Sequence, residues 1–179
     1  MSGEGPRERI YSAQAIHLVR TATQTNLVLS QMADQKASLL MGANFLVFTI
    51  VMGQMTRGTV PWSLVMLAGF AFASAFCAVI AVLPATRGRP ADPAAAPNLL
   101  FFGVFTAMPE EDWTDAVLDR LETDESVLRT MLNDLYQNGE VLQRKKYRLL
   151  GWAYRLLLAG LIVTALTFAA ELAALPGAG

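Results

Sequence analysis

The stretch WSLVMLAGFAFASAFCAVIAVL, residues 62–83, decides the fold of this chain because none of its 22 side chains is charged. Two further apolar runs occupy residues 37–55 and 156–170, and the first of them also lacks any charged side chain. An α-helix rises about 1.5 Å per residue, so about 20 residues cross the hydrocarbon core of a bilayer, which is about 30 Å thick. Because backbone N–H and C=O groups in lipid must be bonded internally, each run is predicted to be a transmembrane helix.

The composition agrees with a membrane protein. Hydrophobic residues make up 54% of the 179 residues, and the mean hydropathy is +0.38. These values exclude an ordinary soluble domain, and the chain is too long for a simple membrane anchor. Residues 1–31 lack the apolar stretch of a signal peptide, and the lone Cys77 has no second cysteine in the chain with which to form a disulfide.

Lysine and arginine are distributed unevenly around the three runs. Most of them fall into two groups: Arg7, Arg9, Arg20 and Lys36 before the first run, and Arg87, Arg89, Arg120, Arg129, Arg144, Lys145, Lys146 and Arg148 between the second and third. The turn that joins the first two runs carries only Arg57. Since Lys and Arg are retained on the cytoplasmic side, the N-terminus and residues 85–148 are predicted to be cytoplasmic and the C-terminus periplasmic.

The polar segments are predicted to be helical and continuous with the membrane helices. Residues 8–55 contain no proline, so one helix is expected across them. Residues 85–97 form a Pro/Ala linker, and Pro109 followed by acidic residues opens another helix. A seam typical of coiled coils alternates spacings of four and three, at Leu128, Leu132, Leu135, Gly139 and Leu142. This helix runs into the third membrane helix.

The predicted fold class is an all-α membrane protein. It has three transmembrane helices, with cytoplasmic helical stalks continuous with the first and the third. Three spans per chain are too few for a wide pore, so a homo-oligomer is expected. The predicted segments are an N-terminal cytoplasmic helix (1–36), the first (37–55) and second (62–84) transmembrane helices, a cytoplasmic helical region with the linker (85–148) and the third transmembrane helix (149–175).

The chain has no residue pattern typical of catalysis or of metal binding. It has no glycine-rich phosphate loop and no cysteine pair, and His17 is its only histidine. The carboxylate row of Asp112, Asp115 and Asp119 is interpreted as a solvated acidic face, with a divalent-cation site as the less favoured alternative. We therefore expect a protein that is not an enzyme, needs no cofactor or metal, and does not bind nucleic acid.

A few polar side chains remain as candidates for a role. Asn44 is the most polar residue inside the first run, where an interhelical hydrogen bond is favoured over lining of a pore. Asp34 and Lys36 stand at the membrane boundary as an interface ion pair or as flanking charges. Arg144, Lys145 and Lys146 are explained by topology and by anionic lipid. The more specific alternative is that these cations bind an anionic ligand such as a phosphodiester.

Three short blocks are similar to a known family. ADQKASLL at residues 33–40 resembles the D-x-K-A motif that enters the first membrane helix of the Pycsar transmembrane effectors. NLLFFG at residues 98–103 and RKKY at residues 144–147 agree with the same family and stand in the expected order. The resemblance covers residues 15–172.

The resemblance implies an antiphage protein of the bacterial inner membrane. In such systems a neighbouring nucleotide cyclase makes cyclic CMP or cyclic UMP on infection, and the effector damages the inner membrane, which kills the cell before the phage matures (abortive infection). The candidates for binding this cyclic pyrimidine nucleotide are Asp34, Lys36, Asn98, Phe101, Phe102, Arg144 and Lys145. Lys36, Arg144 and Lys145 are expected at the phosphate, and Phe101 or Phe102 at the base or simply in packing.

A membrane scaffold or sensor subunit is the alternative function. It would recruit a soluble protein partner through the Leu128–Leu142 seam and would leave membrane permeability unchanged. A small transporter is less favoured, because no run shows the broken helices or buried charges that transporters use.

Overall fold

The structure is a computed structural model, and it describes residues 10–55, 58, 60–84 and 97–174. All regular elements among these residues are helices: α1 (Ala15–Met55), α2 (Trp62–Val82), α3 (Phe102–Phe105), α4 (Glu110–Arg120), α5 (Asp124–Val141), a π-helical segment (Leu142–Tyr147) and α6 (Arg148–Ala173). The predicted all-α class is confirmed. The predicted Pro/Ala linker lies outside the described residues except for Pro97.

Three helices in the described ranges are long and apolar enough to cross a membrane. They are α1, α2 and the uninterrupted helix over residues 124–173 that α5, the π segment and α6 form together. With 41 residues, α1 is about 61 Å long, which is about twice the thickness of a hydrocarbon core. The first and third of these helices therefore continue well beyond the length that a bilayer needs.

Helix α1 begins later than predicted. It starts at Ala15, whereas the sequence pattern suggested a start near Glu8, which lies outside the described residues. The Oγ of Ser12 accepts a hydrogen bond from the N–H of Gln14 at 3.2 Å, and the carbonyl of Ser12 accepts one from the N–H of Ala15 at 2.9 Å. A serine hydroxyl that accepts from the N–H two residues ahead satisfies a donor in the first turn of a helix, so it stabilises a helix that begins just after Ser12.

The chain divides into two compact units. The polar unit consists of residues 1–28 and 84–141, and the apolar unit consists of residues 29–83 and 142–179. The polar unit thus contains the beginning of α1 together with α3, α4 and α5. The apolar unit contains the rest of α1, α2, the π segment and α6.

Small side chains dominate the interior of the apolar unit. Helix α2 packs against α6, where Gly160 lies against Phe70. The buried core consists of Ala33, Ala37, Leu40, Ala78, Leu142, Leu150 and Ala153. Small residues let helix backbones approach closely in lipid, where dispersion replaces the exclusion of water as the main attraction.

The outer surface of the apolar unit carries large apolar side chains. Phe45 of α1, Phe72 and Phe76 of α2, and Phe168 of α6 are 59–72% exposed. In water such a surface would promote aggregation, whereas in a bilayer it contacts acyl chains. The packing of this unit is therefore that of a membrane protein.

In the polar unit, a loop before α3 is fastened to α4. The indole Nε1 of Trp113 donates to the carbonyl of Leu99 at 2.9 Å, and the Trp113 ring lies 5.4 Å from that of Phe105. Leu99 is buried and Phe102 is half exposed, so the short apolar run before α4 is only partly covered within this unit. Helix α4 begins directly after Pro109, as predicted.

Candidate functional site

The first candidate region is the π segment of the apolar unit, whose sequence is LQRKKY. Single π-helical turns within α-helices are rare and are often found at functional sites. The Nζ of Lys146 donates to the two carboxylate oxygens of Asp34 at 2.8 and 2.7 Å and to the Oγ of Ser30 at 2.8 Å. The Lys146 side chain is only 20% exposed, so this ion pair is partly shielded from water and fastens the π segment to α1.

Two charged side chains hold the ends of α2. The Nζ of Lys145 donates to the carbonyl of Leu83, just beyond the C-terminus of α2, at 2.7 Å. Glu171 of α6 accepts from the backbone N–H of Ser63 at 3.1 Å and from its Oγ at 2.7 Å, in the first turn of α2. Each charge is opposite in sign to the helix end that it contacts, so both contacts are favourable with the helix dipole.

A buried group of polar atoms connects the three helices of the apolar unit. The Nδ2 of Asn44 donates to the Oγ of Ser74 at 3.1 Å, and this Oγ donates to the carbonyl of Ala153 at 2.8 Å. The interhelical hydrogen bond predicted for Asn44 is therefore present. The Oδ1 of Asn44 is buried and has no hydrogen-bond partner among the residues that the structure describes. A buried acceptor without a hydrogen bond is destabilising. This group therefore connects the three helices, but the unpaired Oδ1 of Asn44 lowers the stability of the folded state.

Four of the predicted ligand-binding residues lie in the apolar unit. Asp34 is paired with Lys146 rather than with Lys36, and Lys145 is bound to the end of α2. The side chains of Lys36 and Arg144 are exposed. Asp34 and Lys145 thus take part in contacts inside the unit, whereas Lys36 and Arg144 lie on its surface.

The other three predicted residues, Asn98, Phe101 and Phe102, lie in the polar unit. Asn98 is 4% exposed. Its Nδ2 donates to the Oδ1 of Asp134 at 3.0 Å, and its Oδ1 accepts from the N–H of Leu100 at 3.1 Å. Both ends of this amide are used to fix the loop against α5. The rings of Phe101 and Phe102 contact each other, with centroids 4.8 Å apart.

A cleft of about 500 Å³ opens beside Asn98 in the polar unit, and we call it the polar cleft. Arg120 of α4 and the α5 residues Arg129, Asn133 and Tyr136 line it together with Asn98. The three α5 residues are spaced at i, i+4 and i+7, which places them on one face of that helix. The polar cleft therefore combines two arginines, two asparagines and a tyrosine.

The charge of Arg129 is secured by its neighbour on α5. The Nε and Nη2 of Arg129 donate to the Oε1 of Glu125 at 2.8 and 2.6 Å. This hydrogen bond and the negative charge of Glu125 raise the pKa of Arg129 above its ordinary value. Arg129 therefore carries a positive charge.

A comparison with known families identifies the chain. A family model described as the Pycsar effector protein domain, PycTM, matches residues 17–172. The chain belongs to the PycTM family. No curated protein and no solved structure gives a significant match.

The PycTM match contains all the blocks on which the resemblance in sequence rests. Residues 33–40, 98–103 and 144–147 all fall within it, so the suspected family is confirmed. With three apolar helices long enough to span a bilayer, this PycTM protein is an antiphage effector that acts at a membrane. Its family links it to cyclic pyrimidine signalling.

Sequence reasoning did not single out the polar cleft of the PycTM protein. Arg120 and Arg129 were considered only in the distribution of lysine and arginine that predicts the topology. The spacing of Arg129, Asn133 and Tyr136 on one helix face was the available signal. On the opposite wall the family resemblance indicated Asn98, but its place beside α5 depends on the hydrogen bond of Asn98 to Asp134, 36 positions away.

The substitutions Lys146→Gln and Arg129→Gln should differ in their effect on stability. We expect Lys146→Gln to destabilise the PycTM protein by about 1 kcal/mol, because it removes the partly shielded partner of Asp34, whose own side chain is 39% exposed. Arg129→Gln should have no measurable effect, because its pair with Glu125 is solvated. Thermal unfolding in detergent, followed by circular dichroism, measures both. Equal melting temperatures for the two variants would contradict the structural role of Lys146.

Proposed function

We propose that this PycTM protein responds to a cyclic pyrimidine nucleotide, cyclic CMP or cyclic UMP, by impairing the integrity of the bacterial inner membrane. A nucleotide cyclase supplies the nucleotide on phage infection, and loss of the membrane barrier kills the cell before the phage matures. The match to the Pycsar effector protein domain over residues 17–172 carries this proposal, because it takes in the membrane helices and the polar helices together.

The continuity of two helices supports a link between ligand binding and membrane packing. Helix α1 and the helix over residues 124–173 each run without interruption from polar sequence into apolar sequence. A ligand changes the packing of membrane helices only if it binds two packings with different affinity. An unbroken helix supplies the connection, because a displacement of its polar part also displaces its apolar part.

The apolar unit is suited to a change of packing. Its polar contacts between helices include Lys146–Asp34, Lys146–Ser30, Tyr147–Leu29, Asn44–Ser74, Ser74–Ala153, Glu171–Ser63 and Lys145–Leu83. Interhelical hydrogen bonds in membranes contribute about 0.6 kcal/mol on average. A ligand with a micromolar dissociation constant has a binding free energy of about 8 kcal/mol. If the ligand binds one packing of the helices more tightly than another, a fraction of its binding free energy is enough to break several of these contacts and form others.

The proposed topology places the N-terminus and residues 85–148 in the cytoplasm and the C-terminus in the periplasm. The distribution of lysine and arginine supports this orientation. A homo-oligomer is proposed because three helices per protomer do not enclose a wide path. The protein acts without catalysis in this proposal, and its stalks are the cytoplasmic parts of α1 and of the helix over residues 124–173.

Dye release from liposomes tests the proposed function. Liposomes that carry the protein and an entrapped dye should lose the dye when cyclic CMP or cyclic UMP is added. Cyclic AMP and liposomes without protein are the controls, and neither should release dye. Retention of the dye at every concentration of both pyrimidine nucleotides would contradict the proposal.

A membrane scaffold that recruits a partner through the Leu128–Leu142 seam is less favoured. Leu128 is buried in the polar unit and Leu142 in the core of the apolar unit, so both ends of the seam pack inside the chain. Leu132, which is 49% exposed, stays accessible. Crosslinking in cells separates the two functions, because a homo-oligomer gives a ladder of the chain with itself and a scaffold gives one heterologous band.

A further inference from the structure

The polar cleft has the positive charge needed to bind an anion. Arg120 lies in the last turn of α4, and Arg129 lies on the neighbouring helix α5. Within the described part of the chain, no hydrogen bond or ion pair engages the Arg120 side chain. The planar fork of a guanidinium matches the oxygens of a phosphate group, so two arginines at one cleft favour a phosphate-bearing ligand.

Arg129 is able to exchange its present partner for a ligand. The side chains of Arg129 and Glu125 are 66% and 38% exposed, and the two residues are neighbours on one helix. A solvated pair of this kind contributes little to stability, so breaking it costs little. A phosphate that accepts charge-assisted hydrogen bonds from both arginines is therefore able to replace Glu125 at Arg129.

Tyr136 and Asn133 supply recognition of a ring. The Tyr136 side chain is 65% exposed, so its face is available for stacking on a base. The Nε2 of Gln137 donates to the Oδ1 of Asn133 at 3.2 Å, which leaves the Nδ2 of Asn133 to donate to a carbonyl oxygen. Cytosine and uracil both carry a carbonyl oxygen next to the glycosidic bond, whereas adenine carries none.

The wall opposite α5 is preformed. Asn98 is buried and bonded at both ends of its amide, and Leu99 accepts the hydrogen bond from Trp113. A site whose walls are already held in place loses less conformational entropy on binding. The volume of about 500 Å³ is within the range of about 300–1,000 Å³ that is typical of small-molecule sites.

We propose that the polar cleft binds the activating nucleotide, with its phosphodiester between Arg120 and Arg129 and its base against Tyr136. The identity of the nucleotide rests on the proposed function, whereas the place of binding rests on the contacts of the polar unit. The proposed site therefore contains none of Lys36, Arg144 and Lys145, which belong to the apolar unit.

Equilibrium dialysis of the purified full chain in detergent against radiolabelled cyclic CMP and cyclic UMP tests this assignment. Arg120→Gln should weaken binding roughly 10- to 100-fold, as expected for the loss of charge-assisted hydrogen bonds. Tyr136→Ala should weaken it roughly tenfold, and Tyr136→Phe, which keeps the ring, should stay within about twofold of the wild-type chain. Arg20→Gln is the matched control, since it removes the same charge from an exposed position of the polar unit outside the cleft.

Unchanged affinity in both Arg120→Gln and Tyr136→Ala would overturn the assignment. Equal losses in Tyr136→Phe and Tyr136→Ala would overturn the stacking role of the ring. The melting temperature of each variant shows whether it is folded. If Arg120→Gln does not fold, Arg120→Lys replaces it, because lysine keeps the positive charge but lacks the planar fork of the guanidinium. Competition by inorganic phosphate as effective as that by the unlabelled nucleotide would reduce the cleft to a simple anion site and contradict the proposal.

Dye release with the same variants separates the cleft from the proposed function. If cyclic nucleotide releases dye equally from liposomes with wild-type and Arg120→Gln chains, the function stands and the cleft assignment fails. If nucleotide binds in the cleft but releases no dye, the assignment stands and the membrane function fails. If neither pyrimidine nucleotide binds the wild-type chain, both fail.

Discussion

Gly160→Ala is expected to destabilise the protein by about 1–3 kcal/mol, because the packing of α2 against α6 leaves no room for a methyl group. A Cβ built at Gly160 would overlap the Cβ of Phe70 and lie 3.0 Å from its Cγ. The Cβ of Phe70 is attached to its own backbone and cannot rotate away. The two helices must therefore move apart, and the contacts between them weaken along their shared length.

Gly151→Ala on the same helix is the matched control. A Cβ at Gly151 has nothing within 4 Å. Alanine is a better helix former than glycine by about 1 kcal/mol, so this variant should be neutral or more stable. The two glycine-to-alanine changes are thus expected to shift the melting temperature in opposite directions, by about 2–4 °C for each kcal/mol. A similar shift in both variants would contradict the close approach of α2 and α6.

The same substitution also bears on the proposed function. If membrane damage follows from altered packing of these helices, the Gly160→Ala chain should release dye from liposomes before any nucleotide is added. The Gly151→Ala chain should retain the dye until nucleotide is present. If liposomes with both variants retain the dye in the absence of nucleotide, altered packing of α2 and α6 does not by itself damage the membrane.

Ser74→Ala is expected to cost about 1–2 kcal/mol, because it removes two buried hydrogen bonds with one side chain. Ser74 is 0% exposed and Asn44 is 1% exposed. Without the Ser74 hydroxyl, the Nδ2 of Asn44 loses its acceptor, and the Oδ1 of Asn44 already has no partner in the described structure. The whole amide of Asn44 would then be buried without a hydrogen bond.

Asn44→Leu should cost less than Ser74→Ala. The change removes an amide that is satisfied at one end only, and Ser74 keeps its hydrogen bond to the carbonyl of Ala153. The double variant should be more stable than Ser74→Ala alone, since no unpaired amide remains. Thermal unfolding of the three variants in detergent measures this order. A double variant that loses the sum of the two single effects would show that Asn44 and Ser74 are not coupled.

The membrane helices and their continuity were predictable because the signals are local. The absence of charge from residues 62–83 and the absence of a break before residue 37 are visible without any contact. The hydrogen bond of Asn44 was also predictable, because a buried amide in lipid requires a partner. Only the partner, Ser74 of α2, came from the packing. The later start of α1 at Ala15 reflects the hydroxyl of Ser12, which accepts a hydrogen bond from the first turn and so favours a helix that begins there.

The roles of the charged residues were much less predictable. Lys145 and Lys146 are adjacent in sequence, yet one binds the end of α2 and the other binds Asp34 of α1. Sequence alone treats the two as equivalent cations at a membrane boundary. Which helix each lysine reaches depends on the π segment and on the packing around it.

The order of polar and apolar residues by itself determined that this protein is helical, that three of its helices are long and apolar enough to cross a membrane and that two of them continue into polar sequence without a break, because hydropathy and helix formation depend on neighbouring residues. The tertiary structure alone decided which cations are engaged and where a cleft with two arginines opens. Those features depend on contacts between residues far apart in the chain, such as Lys146 with Asp34 across 112 positions and Asn98 with Asp134 across 36. Such pairings follow from packing geometry, for which the local sequence carries no signal.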